Sequence, residues 1–430
     1  MEHKITALQS SNQKEEWFFH RELLQNVPDW YYKKLKEKLD NDPAYISRRS
    51  DFEMDDETNT IIHKVCKFKM EEADGLDNQQ IMYYPICNRD EIERIFDPQD
   101  ADDYLLKLRA DEVNDHPRIA RVFFKLREYY GEAWNFTDYF RTPLFGQYQI
   151  LLTPEMEAYC DNIEAGFINY PAVNGLCSRT EYGDIILISY SLKYFLYYMN
   201  MWAIGDFLGL TDQDKFEALI IGVRTMLGYE SLDFEIDPRA DLPEEMHKTI
   251  QVLTDTQLKF VIGHEYAHHY LGHLDDQKMV NLKSLGMTDG PMDSLQFFNY
   301  AQEQELDADF NAIESLDTGL DVKEEYLSAA LTFFTILDVY ECFQEYMSPR
   351  ISNFRTHPRP VERLWELRKK FPESISYTTS DLNSILGKSK ELKEFLVNDF
   401  IGFNVDMLEM YGSNYITSFK SERSLDRLDF

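Results

Sequence analysis

His264-Glu-Tyr-Ala-His-His-Tyr-Leu-Gly-His273, HEYAHHYLGH in one-letter code, decides how this chain is read. Its core is His264, Glu265 and His268 in the spacing His-Glu-x-x-His. Residues four apart on an α-helix sit one turn above each other, so both imidazoles project from one face. Two nitrogens held that way form half of a zinc site, and the neighbouring Glu265 is placed to take a proton from water. The surrounding pattern predicts a helix from Thr256 to Leu274, with Thr254 or Thr256 capping its start and Gly272 near its end.

A hydrolytic zinc site needs three protein ligands and one open position. A third histidine on an extension of the same segment is ruled out, because the positions required by HExxHxxGxxH hold Leu271 and Leu274. His273 lies nine residues past His264, about half a turn round an ideal helix, and is expected on the opposite face. His269 is also rotated off the metal side. Both read as solvated or locally hydrogen-bonded histidines.

The remaining source is a carboxylate from a following helix, and EQELDADFNAI (residues 303–313) offers one. Glu305 and Asp309 are four apart and share a face. Glu305 is the candidate third ligand. Asp309 is placed to accept a hydrogen bond from the remote nitrogen of a metal-bound imidazole, and the small Ala308 permits close helix approach. The competing reading of this stretch is an acidic, solvated face, with Glu303 and Asp307 as rival carboxylates.

These residues resemble the gluzincin metallopeptidases of the HtpX and CAAX-prenyl-endopeptidase family, including its OMA-type mitochondrial quality-control members. HEYAHHYLGH is similar to the family's HExxHxxxGH segment, and Glu305-Leu-Asp-Ala-Asp309 to its ExxxD motif. Thr356-His357-Pro358, with Glu362 and Arg363, resembles its THPxxxER element. Asn174, Gly183 and the run from Ile185 to Leu192 look like its substrate-binding edge strand and the helix after it. The resemblance implies a zincin-like catalytic domain with one Zn2+ per chain and endopeptidase activity on a protein or peptide. It assigns His264, His268 and Glu305 to the metal, Glu265 to base catalysis, Asp309 to orienting a ligand, and His357 to stabilising the oxyanion. Substrate would lie along Asp184, Ile185, Ile186, Leu187, Ile188 and Ser189, with Arg363 beside it. On residue chemistry alone, His357 reads as a structural histidine more often than not, and Arg363 has an alternative reading as an ion-pair partner on a helix started by Pro360. Most members of the family are membrane-embedded or tethered, which leaves room for a soluble relative such as the Lit-like phage-exclusion peptidases.

The bulk properties narrow the partners. The 430 residues carry 44 Lys and Arg against 77 Asp and Glu, a formal charge of −33 that disfavours nucleic acid and anionic membrane surfaces. With 43% hydrophobic residues a packed interior is expected. Five scattered cysteines with no Cys-x-x-Cys, and an N-terminus without a signal-peptide core, predict a cytoplasmic protein. The apolar stretches Ile185–Leu210 and Tyr326–Phe343 are interrupted by charge and read as buried helices rather than membrane spans.

The expected architecture is α+β and predominantly helical. Residues 1–142 form a mixed, mostly helical region, and residues 143–430 the catalytic domain with a helical insertion at about 193–255. Helices are expected at Trp30–Leu39, Ala101–Arg109 and Arg118–Tyr130, and a hairpin from Thr60–Met70 and Gln80–Cys87. Asp184–Ser189 reads as a buried strand. Two more helices are expected, from about Leu295 to Leu316 and from about Val322 to Tyr346. A zinc-stabilised binding or sensor protein that no longer cuts is the competing function, and a chance HExxH in a helical protein a third. An intact Glu265 argues for the enzyme, since a purely structural site has no use for a base.

Overall fold

The computed structural model describes residues 17–25, 27–46, 49–170, 175–230, 232–274, 279–281, 296–298, 302–347, 358–405, 408 and 413–419. Helices dominate and the sheets are small, the expected α+β class. An N-terminal antiparallel sheet combines β1 (Trp17–Leu24), β2 (Phe52–Asp55) and β3 (Thr60–Lys69) in the order β1-β3-β2. The hairpin expected between residues 60–70 and 80–87 is absent. Gln80–Met82 is a 3-10 turn, because the Asp77 carboxylate accepts the Gln79 and Gln80 amides and winds the chain there. Helix α1 (Asp29–Asn41) closes a small separate core in which Tyr31, Leu35 and Leu39 pack on Leu24, Phe52 and Ile61.

Helices α2 (Ala101–Asp115) and α3 (Pro117–Tyr130) follow. From Cys66 on β3 onward one continuous hydrophobic core runs through the chain, joining Leu106, Phe123, Tyr148, Phe195, Phe260, Phe334 and Ile401 across the boundary expected at residue 142. Buried ion pairs run across it too. Arg121 on α3 meets Asp233, which also pairs with Arg239, and Arg239 and Arg224 share Glu230.

The second sheet positions the site. It contains β4 (Glu164–Ile168), β5 (Gly175–Thr180) and β6 (Gly183–Ser189) in the order β4-β6-β5. β6 pairs in parallel with β4 and antiparallel with β5, so it is the central strand. Ile185 to Ile188 are all buried, as a strand covered on both faces requires. Helix α4 (Leu144–Gln149) touches β4 through Phe145 on Phe167, and helix α5 (Tyr190–Ala203) packs on β6 and against α6 (Asp212–Met226).

Helix α7 (Glu244–Tyr270) carries the HExxH residues and begins twelve residues before the expected start. Thr254 and Thr256 are inside it, their hydroxyls donating back to the carbonyls of Ile250 and Val252 rather than capping. A short hairpin of β7 (Met279–Asn281) and β8 (Gln296–Phe298) follows, with β8 alongside β5. The helix expected from Leu295 therefore starts only at Gln302, as α8 (Gln302–Glu314). Helix α9 (Leu320–Met347) is long and apolar enough to cross a membrane, and 78% of its most apolar window is buried inside the protein. Helices α10 (Pro360–Lys370) and α11 (Thr379–Phe395) pack against it.

Candidate metal centre

The second half of α7 is buried nearly all round, from Leu258 to His268, which removes its polar side chains from bulk water. Two tyrosines hold α7 against α8. Tyr148 of α4 lies where any side chain on Gly263 would collide with its ring, and its hydroxyl donates to the Ala312 carbonyl at 3.0 Å. Tyr270, at the end of α7, donates to the Asn311 carbonyl at 3.1 Å. On α8 the small Ala308 and Ala312 are fully buried, which lets the two backbones approach.

This packing brings His264, His268 and Glu305 together. The two Nε2 atoms are 3.1 Å apart. Glu305 Oε2 is 3.5 Å from His264 Nε2, and Glu305 Oε1 is 3.6 Å from His268 Nε2. A tetrahedral zinc ion with bonds of about 2.0–2.2 Å requires ligand–ligand edges of roughly 3.3–3.5 Å. The observed triangle matches that size, and its two imidazoles and one carboxylate are zinc-type donors, so the residues fit the ion.

Asp309 also takes its expected place. Its Oδ1 is 2.9 Å from His264 Nδ1. Burial works against charge on His264, but the hydrogen bonds to Asp309 and Glu305 outweigh it and raise the metal-free pKa to about 9. Glu265 is buried beside them. Desolvation, together with the nearby Glu305 carboxylate, outweighs the attraction of His264 and lifts its pKa to about 7. A carboxyl group tuned to neutrality is suited to moving protons both ways.

Several expected placements are corrected. Asp184, Ile185, Ile186, Leu187, Ile188 and Ser189 form the central strand, which is paired on both sides from Ile185 to Ile188, so this strand offers no free edge to a substrate. Asp184 instead binds Arg179, with His269 Nδ1 3.6 Å away, and against the opposing effect of burial the contacts with these two residues lower its pKa to about 2. The strand that touches the site is β5. A Cβ on Gly175 would fall 2.4 Å from Glu265 Oε1, so the absence of a side chain there makes room for the carboxylate. Arg363 is not free for substrate either. It is buried, grips Asp309 through Nε (2.7 Å) and Nη2 (2.5 Å), and lies 3.8 Å from Glu305 Oε2. Its guanidinium offsets two carboxylates that would otherwise repel each other in a dry site. The ion-pair reading of Arg363 therefore replaces the substrate-binding one.

His273 does not point away. The helix ends at Tyr270, Gly272 adopts φ +71°, and the chain folds back so that His273 Nδ1 is 2.9 Å from His268 Nδ1. The opposite-face expectation assumed that the helix continued through residue 273. His357 and Asn174 lie outside the described residues. Among the residues that sequence reading missed, Gly175, Tyr148 and Tyr270 left no local signal, because each acts on a partner distant in sequence.

Residues 246–370 match the model of peptidase family M48, a stretch that takes in most of α7, all of α8 and α9, and α10 with Arg363. No curated protein and no solved structure matches the chain.

Proposed function

Because residues 246–370 match the model of peptidase family M48, a family of zinc metallopeptidases, we propose that this chain is an endopeptidase that hydrolyses peptide bonds of soluble cytoplasmic proteins. One observation carries the reading: a zinc-sized triangle of His264, His268 and Glu305 with a buried, proton-poised Glu265 beside it. A structural zinc site has no need of that neighbouring carboxyl, which counts against a silent binding protein.

His264, His268 and Glu305 would hold a zinc ion, which would supply Lewis acidity and make a nearby water more acidic. Glu265 takes the proton of the attacking water on its carboxylate as the new C–O bond forms. It then delivers that proton to the departing amide nitrogen as the C–N bond breaks, and so ends the cycle unchanged. Asp309 keeps the Nδ1 proton of His264 in place, so Nε2 presents its lone pair to the metal. Arg363 holds Asp309 in that orientation. Gly175 of β5 lies against Glu265, so an extended substrate would approach the carboxylate from the β5 side of the sheet rather than along the central β6. Oxyanion stabilisation by His357 is retained as part of the proposal on the strength of the family-like THP segment.

The cytoplasmic assignment draws on five cysteines that are all free and buried and on the strongly acidic composition, which also disfavours nucleic acid as a partner. The test is a mass-spectrometric comparison of proteins cut in cells expressing wild type or Glu265→Gln, with matched digests of a cytosolic extract with and without a chelator. New termini that need both Glu265 and metal support the proposal. Identical termini from the two proteins would remove it.

A further inference from the structure

His268 turns its Nε2 toward Glu305, and its Nδ1 lies 2.9 Å from the Nδ1 of another histidine, His273. We propose that His273 is a positioning residue that sets the tautomer of His268, accepting the His268 Nδ1–H on its own Nδ1 and so leaving the His268 Nε2 lone pair directed at the metal position. This rests on the zinc site proposed above.

The geometry leaves little choice of proton placement. Two nitrogens 2.9 Å apart cannot both carry hydrogen along the line between them. If His273 were the donor, a neutral His268 would carry its proton on Nε2, the atom that faces Glu305 and His264, and could not ligate. Only the reverse arrangement presents a lone pair there. The remaining proton of neutral His273 is then on its Nε2, away from the pair.

Backbone geometry explains why a residue five positions later can reach His268. The His273 amide donates to the His268 carbonyl at 3.0 Å, and the Gly272 amide to the His269 carbonyl at 3.0 Å. With Leu271 as C-cap and Gly272 at positive φ, these are the paired bonds of a Schellman helix end. That motif places the second residue after the cap over the third residue from the helix end, a contact that is usually apolar. Here the two positions are His273 and His268, and the apolar contact is replaced by a hydrogen bond. A neutral imidazole also suits this position better than a carboxylate would. Glu265, Glu305 and Asp309 already crowd the site around the single guanidinium of Arg363.

The test compares His273→Leu with His273→Asn. The Asn Oδ1 occupies the place of the imidazole Nδ1 and can accept the same proton, whereas Leu fills space only. Zinc affinity is measured by competition with a chromophoric chelator, and the melting of each metal-free protein is recorded alongside. Wild type binding one zinc checks the site itself; its failure would fall on the metal-site reading rather than on His273. Loss of an orienting partner typically costs about 10- to 100-fold in metal affinity, and that loss is expected for Leu, with Asn staying within about threefold of wild type. Wild-type affinity in the Leu variant, or equal losses in both variants, overturns the proposal. Should His273→Leu fail to fold, nitrogen-15 NMR of wild type decides: a proton on His268 Nδ1 and none on His273 Nδ1 upholds the assignment, and the opposite pattern ends it.

Discussion

Glu265→Gln is expected to abolish cleavage and, at the same time, to make the metal-free protein more stable at alkaline pH. The unfolded chain ionises this carboxyl near 4.5, and the folded one near 7. Between those values the folded state binds more protons than the unfolded state, so wild-type stability falls as pH rises through this window. At about 1.4 kcal/mol per pH unit, the full penalty above pH 7 comes to about 3 kcal/mol. Glutamine keeps the shape and never ionises, so it escapes that cost. At pH 5 the advantage shrinks to under about 1 kcal/mol, because the folded carboxyl is still protonated and pH 5 lies only just above the value at which the unfolded one ionises. The assay is calorimetric or fluorescence melting of chelator-stripped wild type and variant at pH 5 and pH 8.5. In a protein of this size the difference amounts to a few degrees at pH 8.5 and close to none at pH 5. Zinc loading should shrink the gap, since a nearby divalent cation favours the ionised carboxyl. Equal melting of the two proteins at pH 8.5, or a gap that does not change with pH, would refute the claim that Glu265 is held as a desolvated base.

Other consequences follow from the same contacts. His264→Ala should lose both zinc and cleavage, shown by metal analysis of the purified variant. Zinc binding by wild type should tighten steeply between pH 6 and pH 9, because a proton must leave His264, whose metal-free pKa is about 9; a flat titration would contradict the Asp309 and Glu305 hydrogen bonds. Removing the guanidinium with Arg363→Met should destabilise the fold by roughly 3–5 kcal/mol, since it strands Asp309 in a buried site, and should move the acid limb of the rate profile upward because Arg363 favours ionised Glu265. A chain starting at residue 143 should be poorly soluble, because it would strip Phe123 from the main core and Arg121 from Asp233; well-dispersed NMR spectra from that fragment would count against this.

Local spacing made His264, Glu265 and His268 legible, and with that motif in place it made Glu305 and Asp309 candidates. Each pair is four apart or adjacent on a helix, and a helix converts that spacing into a shared face whatever surrounds it. The buried character of residues 185–188 was equally readable, because an uninterrupted apolar run needs cover on both faces. Which strand meets Glu265 was not readable. Strand order depends on pairing between segments far apart in sequence, and β6 proved central while Gly175 of β5 reached the site. The role of Arg363 likewise depended on α10 docking against α8, where a buried guanidinium is held between Asp309 and Glu305. His273 stands between the two cases. Its Gly-His sequence carries the helix-stop signal, yet only the folded backbone showed that stopping there turns one histidine onto another. Periodicity thus determined which side chains share a helix face, while tertiary packing decided which of them meet, because contact between distant segments is selected by the energy of the assembled core and not by any local preference of the chain.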